Sequence, residues 1–153
     1  LIVMGCDPGG TTGLCVCRYV NEGQTFTLLL LHYEQVEHGF HMPDRVSYLL
    51  ARWKPDVVVQ ESVVTTGQLN KDKIAQVQAH DRIQVICRAR DIIMREVTPQ
   101  AVKKVKFVPK DIKGTHARDA YRVIVANFRA LGQYESDFVP EKEKGRDTRE
   151  TSA

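Results

Sequence analysis

Residues 1–13 read LIVMGCDPGGTTG. Four apolar residues in a row, closed by a glycine and a cysteine, have the length and character of a buried strand. A carboxylate, Asp7, then stands at its end. An unpaired charge buried there would cost several kcal/mol, so Asp7 has to be neutralised or bound to a cation. The turn that follows is rich in Gly and Thr: Gly9 and Gly10 permit a sharp reversal and close approach of backbone to a phosphate, and Thr11 and Thr12 offer hydroxyls.

Working outward, LIVMGCD (1–7), GLCVCRYV (13–20) and TFTLLLLHYE (25–34) are short apolar or alternating runs, separated by Gly-bearing turns at 8–13 and 21–24. They predict three sequential antiparallel strands. PDRVSYLLARWK (43–54) places Pro43 at a helix start and Val46, Leu49, Leu50 and Trp53 on one face, an amphipathic helix. DVVVQES (56–62) is too short and too β-branched for a helix and predicts a buried strand parallel to the first. TTGQLNK (65–71) reads as a loop, residues 72–90 as a long helix and DIIMREV (91–97) as a fifth strand. Thr98 as N-cap with Pro99 behind it opens a helix in TPQAVKKVKF, and VPKDIKG (108–114) is a basic loop. THARDAYRVIVANFRAL (115–131) starts at Thr115 as N-cap and aligns Ala117, Ala120, Tyr121, Ile124, Phe128 and Leu131 in one apolar stripe.

The order β-β-β-α-β-α-β-α-α predicts an α/β fold. Its five-stranded mixed sheet has three antiparallel strands plus two parallel ones, flanked by helices and joined by right-handed crossovers. The first and fourth strands then lie side by side, and Asp7 and Glu61, at matching C-terminal ends, converge at the edge where ligands of open α/β sheets bind.

With 153 residues, 42% of them hydrophobic and 27% charged, the chain is sized for one domain, expected over 1–131. Residues 132–153 lose periodicity and read as a charged, mobile tail. Cys6, Cys15, Cys17 and Cys87 lack paired CxxC spacing and read as reduced core residues, which points to an intracellular, cytoplasmic setting. No run approaches the roughly 18 apolar residues of a membrane span, so a soluble protein without a membrane partner is expected. The net charge of +3 is unevenly spread: residues 99–130 hold eight Lys and Arg against two Asp and Glu, while 1–98 hold ten against eleven. Such a run is a solvated helix face or a phosphate-binding surface.

Two carboxylates a few ångströms apart cannot both ionise without a proton or a cation between them. His116 and Asp119, three apart in the first turn of the last helix, add donors on one face. Asp7, Glu61, Asp119 and His116 supply three hard oxygens and an imidazole, a set suited to Mg²⁺ or Mn²⁺ rather than to a closed zinc cage. Each has an ordinary structural explanation: a turn cap, a solvated strand end, first-turn residues favoured by the helix dipole. Their coincidence at one end of one sheet favours the shared explanation.

The DPG-x-x-TG pattern at 7–13, V-V-V-x-E at 57–61, TPQAVKK at 98–104 and HARDA at 116–120 resemble, in order, the RuvC Holliday junction resolvases of the ribonuclease H-like superfamily. The resemblance spans most of residues 1–130. It implies a ribonuclease H-like fold with Asp7, Glu61 and Asp119 as metal-binding catalytic carboxylates, and His116 at a position where the family uses Asp or His. It also implies that Lys103, and with it Lys104, faces DNA. The activity it implies is that of an Mg²⁺-dependent endodeoxyribonuclease cutting Holliday junctions with two ions per site, Mn²⁺ substituting. A two-fold junction calls for a homodimer. The helix at 72–90, with Ile74, Val77, Val85 and Ile86 on one side, is a candidate interface, although packing into the chain's own core is the preferred reading of that stripe. Lys103, Lys104, Lys106, Lys110, Lys113 and Arg118 become the expected phosphate-gripping surface.

Departures from the family pattern are the shortened VKFVPKDIKG and, beside Glu61, Val63 and Val64 where bacterial members often carry an aromatic. Both are closer to divergent phage-type members, which cut a wider set of branched DNAs and act in the host cytoplasm. Three alternatives compete. An actin-like phosphotransferase needs a second related domain, an RNA-processing ribonuclease H-like nuclease would share the ligands, and a silent DNA-binding module would gain nothing from carboxylates that repel phosphate.

Overall fold

The computed structural model describes residues 1–22, 25–37, 41–63 and 67–131. Its sheet has β1 (Ile2–Asp7), β2 (Thr11–Glu22), β3 (Thr25–Glu37), β4 (Val57–Glu61) and β5 (Ile93–Val97) in the order β3-β2-β1-β4-β5. β1, β2 and β3 form an antiparallel meander, and β4 and β5 extend it in parallel. This is the mixed sheet expected from the element order. β2 and β3 run further than their apolar patterns, because the reversal occupies only residues 8–10 and the ladder continues through Thr11 opposite Glu37 and Gly13 opposite Gln35. Backbone pairing needs no apolar side chain.

The helices are α1 (His41–Trp53), α2 (Lys71–Ala89), α3 (Pro99–Lys103) and α4 (Thr115–Ala130). Thr98 caps α3 as expected, its Oγ1 accepting from Ala101 N at 3.1 Å. The sheet alternates its side chains between two cores. On one face Val3, Cys15, Cys17, Val57 and Val59 meet α4 and the segment from Val102 to Ile112. On the other, Met4, Cys6, Leu14, Val16 and Val58 meet α1 and α2. The four cysteines are buried and unlinked.

Two stripes differ from expectation. α2 buries Ala79, His80, Ile83 and Cys87, whereas Ile74 is 44% and Val85 65% exposed. Val85 lies two residues past Ile83, about 200° round the helix, so the two cannot share a face; the preferred core reading of that stripe is corrected for Ile74 and Val85, while Ile86 packs against the core and Val77 is half-buried. Leu131, placed in the α4 stripe, is 46% exposed because it is the C-cap, beyond the last turn that touches the sheet. The turn at 21–24 and the loop at 65–71 lie partly, and Val64 and the tail at 132–153 wholly, outside the described residues. Among the described residues no helix is long and apolar enough to cross a membrane.

Candidate active site

The two-residue period of a strand puts Val3, Gly5 and Asp7 of β1 on one face, and Val57, Val59 and Glu61 of β4 on the same one, toward α4. Across the sheet Asp7 is opposite Gly13, and Gly13 is opposite Gln35. That row seats the start of α4. A Cβ on Gly13 would overlap the carbonyl oxygen of His116, and one on Gly5 that of Ala120, so only glycine lets the helix approach this closely.

The cap of α4 comes from β3. Gln35 Oε1 accepts from His116 N at 2.8 Å and from Ala117 N at 3.2 Å, filling the role of an N-cap side chain. Thr115, expected as N-cap, is instead the first helical residue; the N-cap is Gly114, whose φ of 92° suits glycine. Gln35 is 81 residues from His116 and carries no local signal of this role.

These constraints bring His116 Nδ1 to 3.0 Å from Asp7 Oδ2. Asp7 is 8% exposed, and its carboxyl lies close enough to that of Glu61 for the two to influence each other's ionisation. Burial raises the Asp7 pKa and the nearby Asp119 adds to the rise, while the hydrogen bond from His116 offsets part of it. Glu61 is pushed up to about 7, first by burial and then by the charges of Asp7 and Asp119, with Lys103 opposing. Asp119 stands near both but is engaged by Arg122, whose Nη1 donates to its Oδ1 at 2.6 Å. Among the described residues no three His, Cys, Asp or Glu side chains already surround one point. The donor set nevertheless fits a hard divalent cation: three carboxylates and an imidazole at one sheet edge, where the charges of Asp7 and Asp119 raise the cost of ionising Glu61, a cost that a cation would relieve.

The raised carboxyls set the pH behaviour of the metal-free protein. A carboxyl that holds its proton more tightly folded than unfolded gives stability that is complete below its unfolded pKa and is lost as pH rises toward the folded one. For Glu61 the window runs from about 4.5 to about 7. Water on the open side screens part of the effect, leaving a loss of about 1–2 kcal/mol. Melting followed by circular dichroism in EDTA is expected to fall across that window, to fall less in Glu61→Gln, and to be restored at pH 7.5 by Mg²⁺.

Lys103, Lys104, Lys106, Lys110 and Lys113 are all exposed. Lys103 and Lys106 line a pocket of about 280 Å³ with Asp119 and Arg122, next to the carboxylates. Arg118 is turned inward: Nη1 donates to the carbonyls of Pro109 and Ile112, fastening the loop before α4. Thr12, read as a free hydroxyl, is fully buried and ties the turn, donating to Gly9 O at 3.3 Å. Thr11 lines a cleft of about 630 Å³ that runs from Asp7 and His116 along Pro8–Gly10 to Asn70 and Lys73 at the start of α2.

The sequence matches no protein-family model and no curated protein sequence. Solved structures match it over most of its length. Thermus thermophilus RuvC superposes with a TM-score of 0.70 at 20% identity, over 87% of this chain and 98% of that one. The fold is that of the RuvC-type Holliday junction resolvases. The fowlpox virus resolvase in complex with substrate Holliday junction DNA follows at a TM-score of 0.58 and 15% identity, over 84% of this chain and 99% of that one. The yeast mitochondrial Holliday junction resolvase gives 0.55 at 11% identity, over 86% of this chain and 79% of that one. On this RuvC-type fold Asp7, Glu61, His116 and Asp119 stand at one sheet edge, and Val63, just past β4, is half-buried.

Proposed function

We propose that the protein is a metal-dependent, structure-selective DNA endonuclease that resolves Holliday junctions and related branched DNA by phosphodiester hydrolysis. The observation that carries this reading is the convergence of Asp7, Glu61 and His116, with Asp119 beside them, at one sheet edge. Among proteins of this fold, Thermus thermophilus RuvC and the fowlpox virus resolvase are known in complex with Holliday junction DNA.

Asp7, Glu61, Asp119 and His116 would hold two Mg²⁺ ions, with Mn²⁺ substituting, which supply Lewis acidity to activate a water and to stabilise a departing 3′-oxygen. The chain's own contribution is positional. Asp7 is buried and central, and its contact with His116 fixes the imidazole against the sheet. Gln35 and Gly13 hold that helix start in register, so that the donors from β1 and α4 cannot drift apart. Lys103 lies close enough to lower the cost of charge on Glu61, and with Lys106 it faces the pocket where a phosphate would rest.

Cutting a two-fold junction evenly requires two sites, hence a homodimer. Ile74 and Val85, left exposed on the outer face of α2, supply apolar surface for it.

The test is incubation with labelled four-way junction, flap, linear duplex and RNA hairpin in Mg²⁺. Paired, symmetric nicks in the junction are the expected result. Cleavage of the RNA hairpin alone would move the protein to an RNA-processing role, and tight binding without any cleavage would make it a DNA-binding module.

A further inference from the structure

Arg122 lies three residues past Asp119 on the same face of α4 and is held at two points. Nη1 donates to Asp119 Oδ1 at 2.6 Å, and Nε donates to the carbonyl of Val105 at 3.2 Å. The same side chain lines the pocket shared by Lys103, Lys106 and Asp119, floored by Val102 and Val105. Three cations therefore face one carboxylate, and that carboxylate is one of the expected metal donors. A guanidinium at that distance competes directly with a divalent cation for the oxygen it holds. The pocket's surplus positive charge in turn suits a phosphate, which a guanidinium binds as readily as a carboxylate.

We propose that Arg122 is a positioning residue that acts as the counter-ion of Asp119 in the metal-free centre and exchanges that partner for a DNA phosphate. Its tether to Val105 keeps the guanidinium at the pocket wall, so the exchange needs only a small movement. Phosphate entering on Lys103, Lys106 and Arg122 frees Asp119 for the metal, and metal on Asp119 frees Arg122 for phosphate. The two binding events are thereby reciprocally coupled. The proposal rests on the nuclease reading and assigns Arg122 within it.

Mn²⁺ titration by calorimetry, on DNA-free protein at a temperature where all forms are folded, compares wild type with Arg122→Gln and Arg122→Lys. Arg122→Gln removes the charge and is expected to bind Mn²⁺ about tenfold more tightly, while Arg122→Lys keeps the charge and stays within about twofold of wild type. Unchanged or weaker binding by Arg122→Gln overturns the proposal, as does equal tightening in both variants. If no form binds Mn²⁺, the nuclease reading falls and the proposal with it. If the variants melt early, ¹⁵N spectra of the Arg122 side chain in wild type decide. Its Nε and Nη signals shift on addition of Mg²⁺ if the guanidinium is released, and an unmoved set contradicts the exchange.

Discussion

Asp7→Asn is expected to abolish junction cleavage while leaving junction binding equal or tighter, and to raise the melting temperature of the metal-free protein. The three effects have one cause. Asp7 is the most buried of the four donors and the one in contact with both His116 and Glu61. An amide in its place keeps the size but not the charge that holds a divalent ion, and the loss of cleavage should reach about a thousandfold or more. The buried carboxyl is also costly to ionise, since burial raises its pKa, so removing it relieves the fold at pH values above the ordinary carboxylate range. Binding survives because phosphate meets one negative charge fewer. Single-turnover cleavage, fluorescence anisotropy with labelled junction and melting in EDTA measure the three. A variant that cuts at the wild-type rate would remove Asp7 from the chemistry, and one that melts lower would contradict its electrostatic strain.

Gly13→Ala is the second large effect, and it acts through backbone alone. The added methyl would meet the carbonyl oxygen of His116 and the nitrogen of Ala117, neither of which can turn aside as a flexible side chain could. α4 must lift from β2, at a cost of about 3 kcal/mol, which for a chain of this size lowers the melting temperature by about 6–12 °C. Because the start of α4 carries His116 in its first turn and Asp119 one turn further on, cleavage measured well below the melting temperature should fall much further than the folded fraction does. Gly10→Ala is the control, since a Cβ there meets nothing within 4 Å; it should leave the melting temperature within about 2 °C of wild type. Equal effects from the two substitutions would refute the close-approach role of Gly13.

What could be read in advance divides along a physical line. Apolar runs and their order predicted β1 beside β4, and with it the meeting of Asp7 and Glu61, because strand burial and crossover handedness are local or topological properties. The three-residue spacing of His116 and Asp119 placed them on one helix face for the same reason. Gln35 is not legible in the sequence, because its role is a long-range hydrogen bond from a polar strand end, with no periodicity to mark it. Arg122 was legible as an i, i+3 partner of Asp119, but in a basic run it had the look of one more surface cation. The covered face of α2 is only partly legible, because β-branched residues lie on both of its sides, and only packing against α1 and β5 selects which of them are covered.

The most direct test of the whole account is anomalous diffraction from crystals of the wild-type protein soaked in Mn²⁺. Two peaks about 4 Å apart, both within reach of Asp7 and each also ligated by Glu61 or Asp119, are the predicted result. Mn²⁺ sites elsewhere on the surface, with no metal at Asp7 and Glu61, would contradict it.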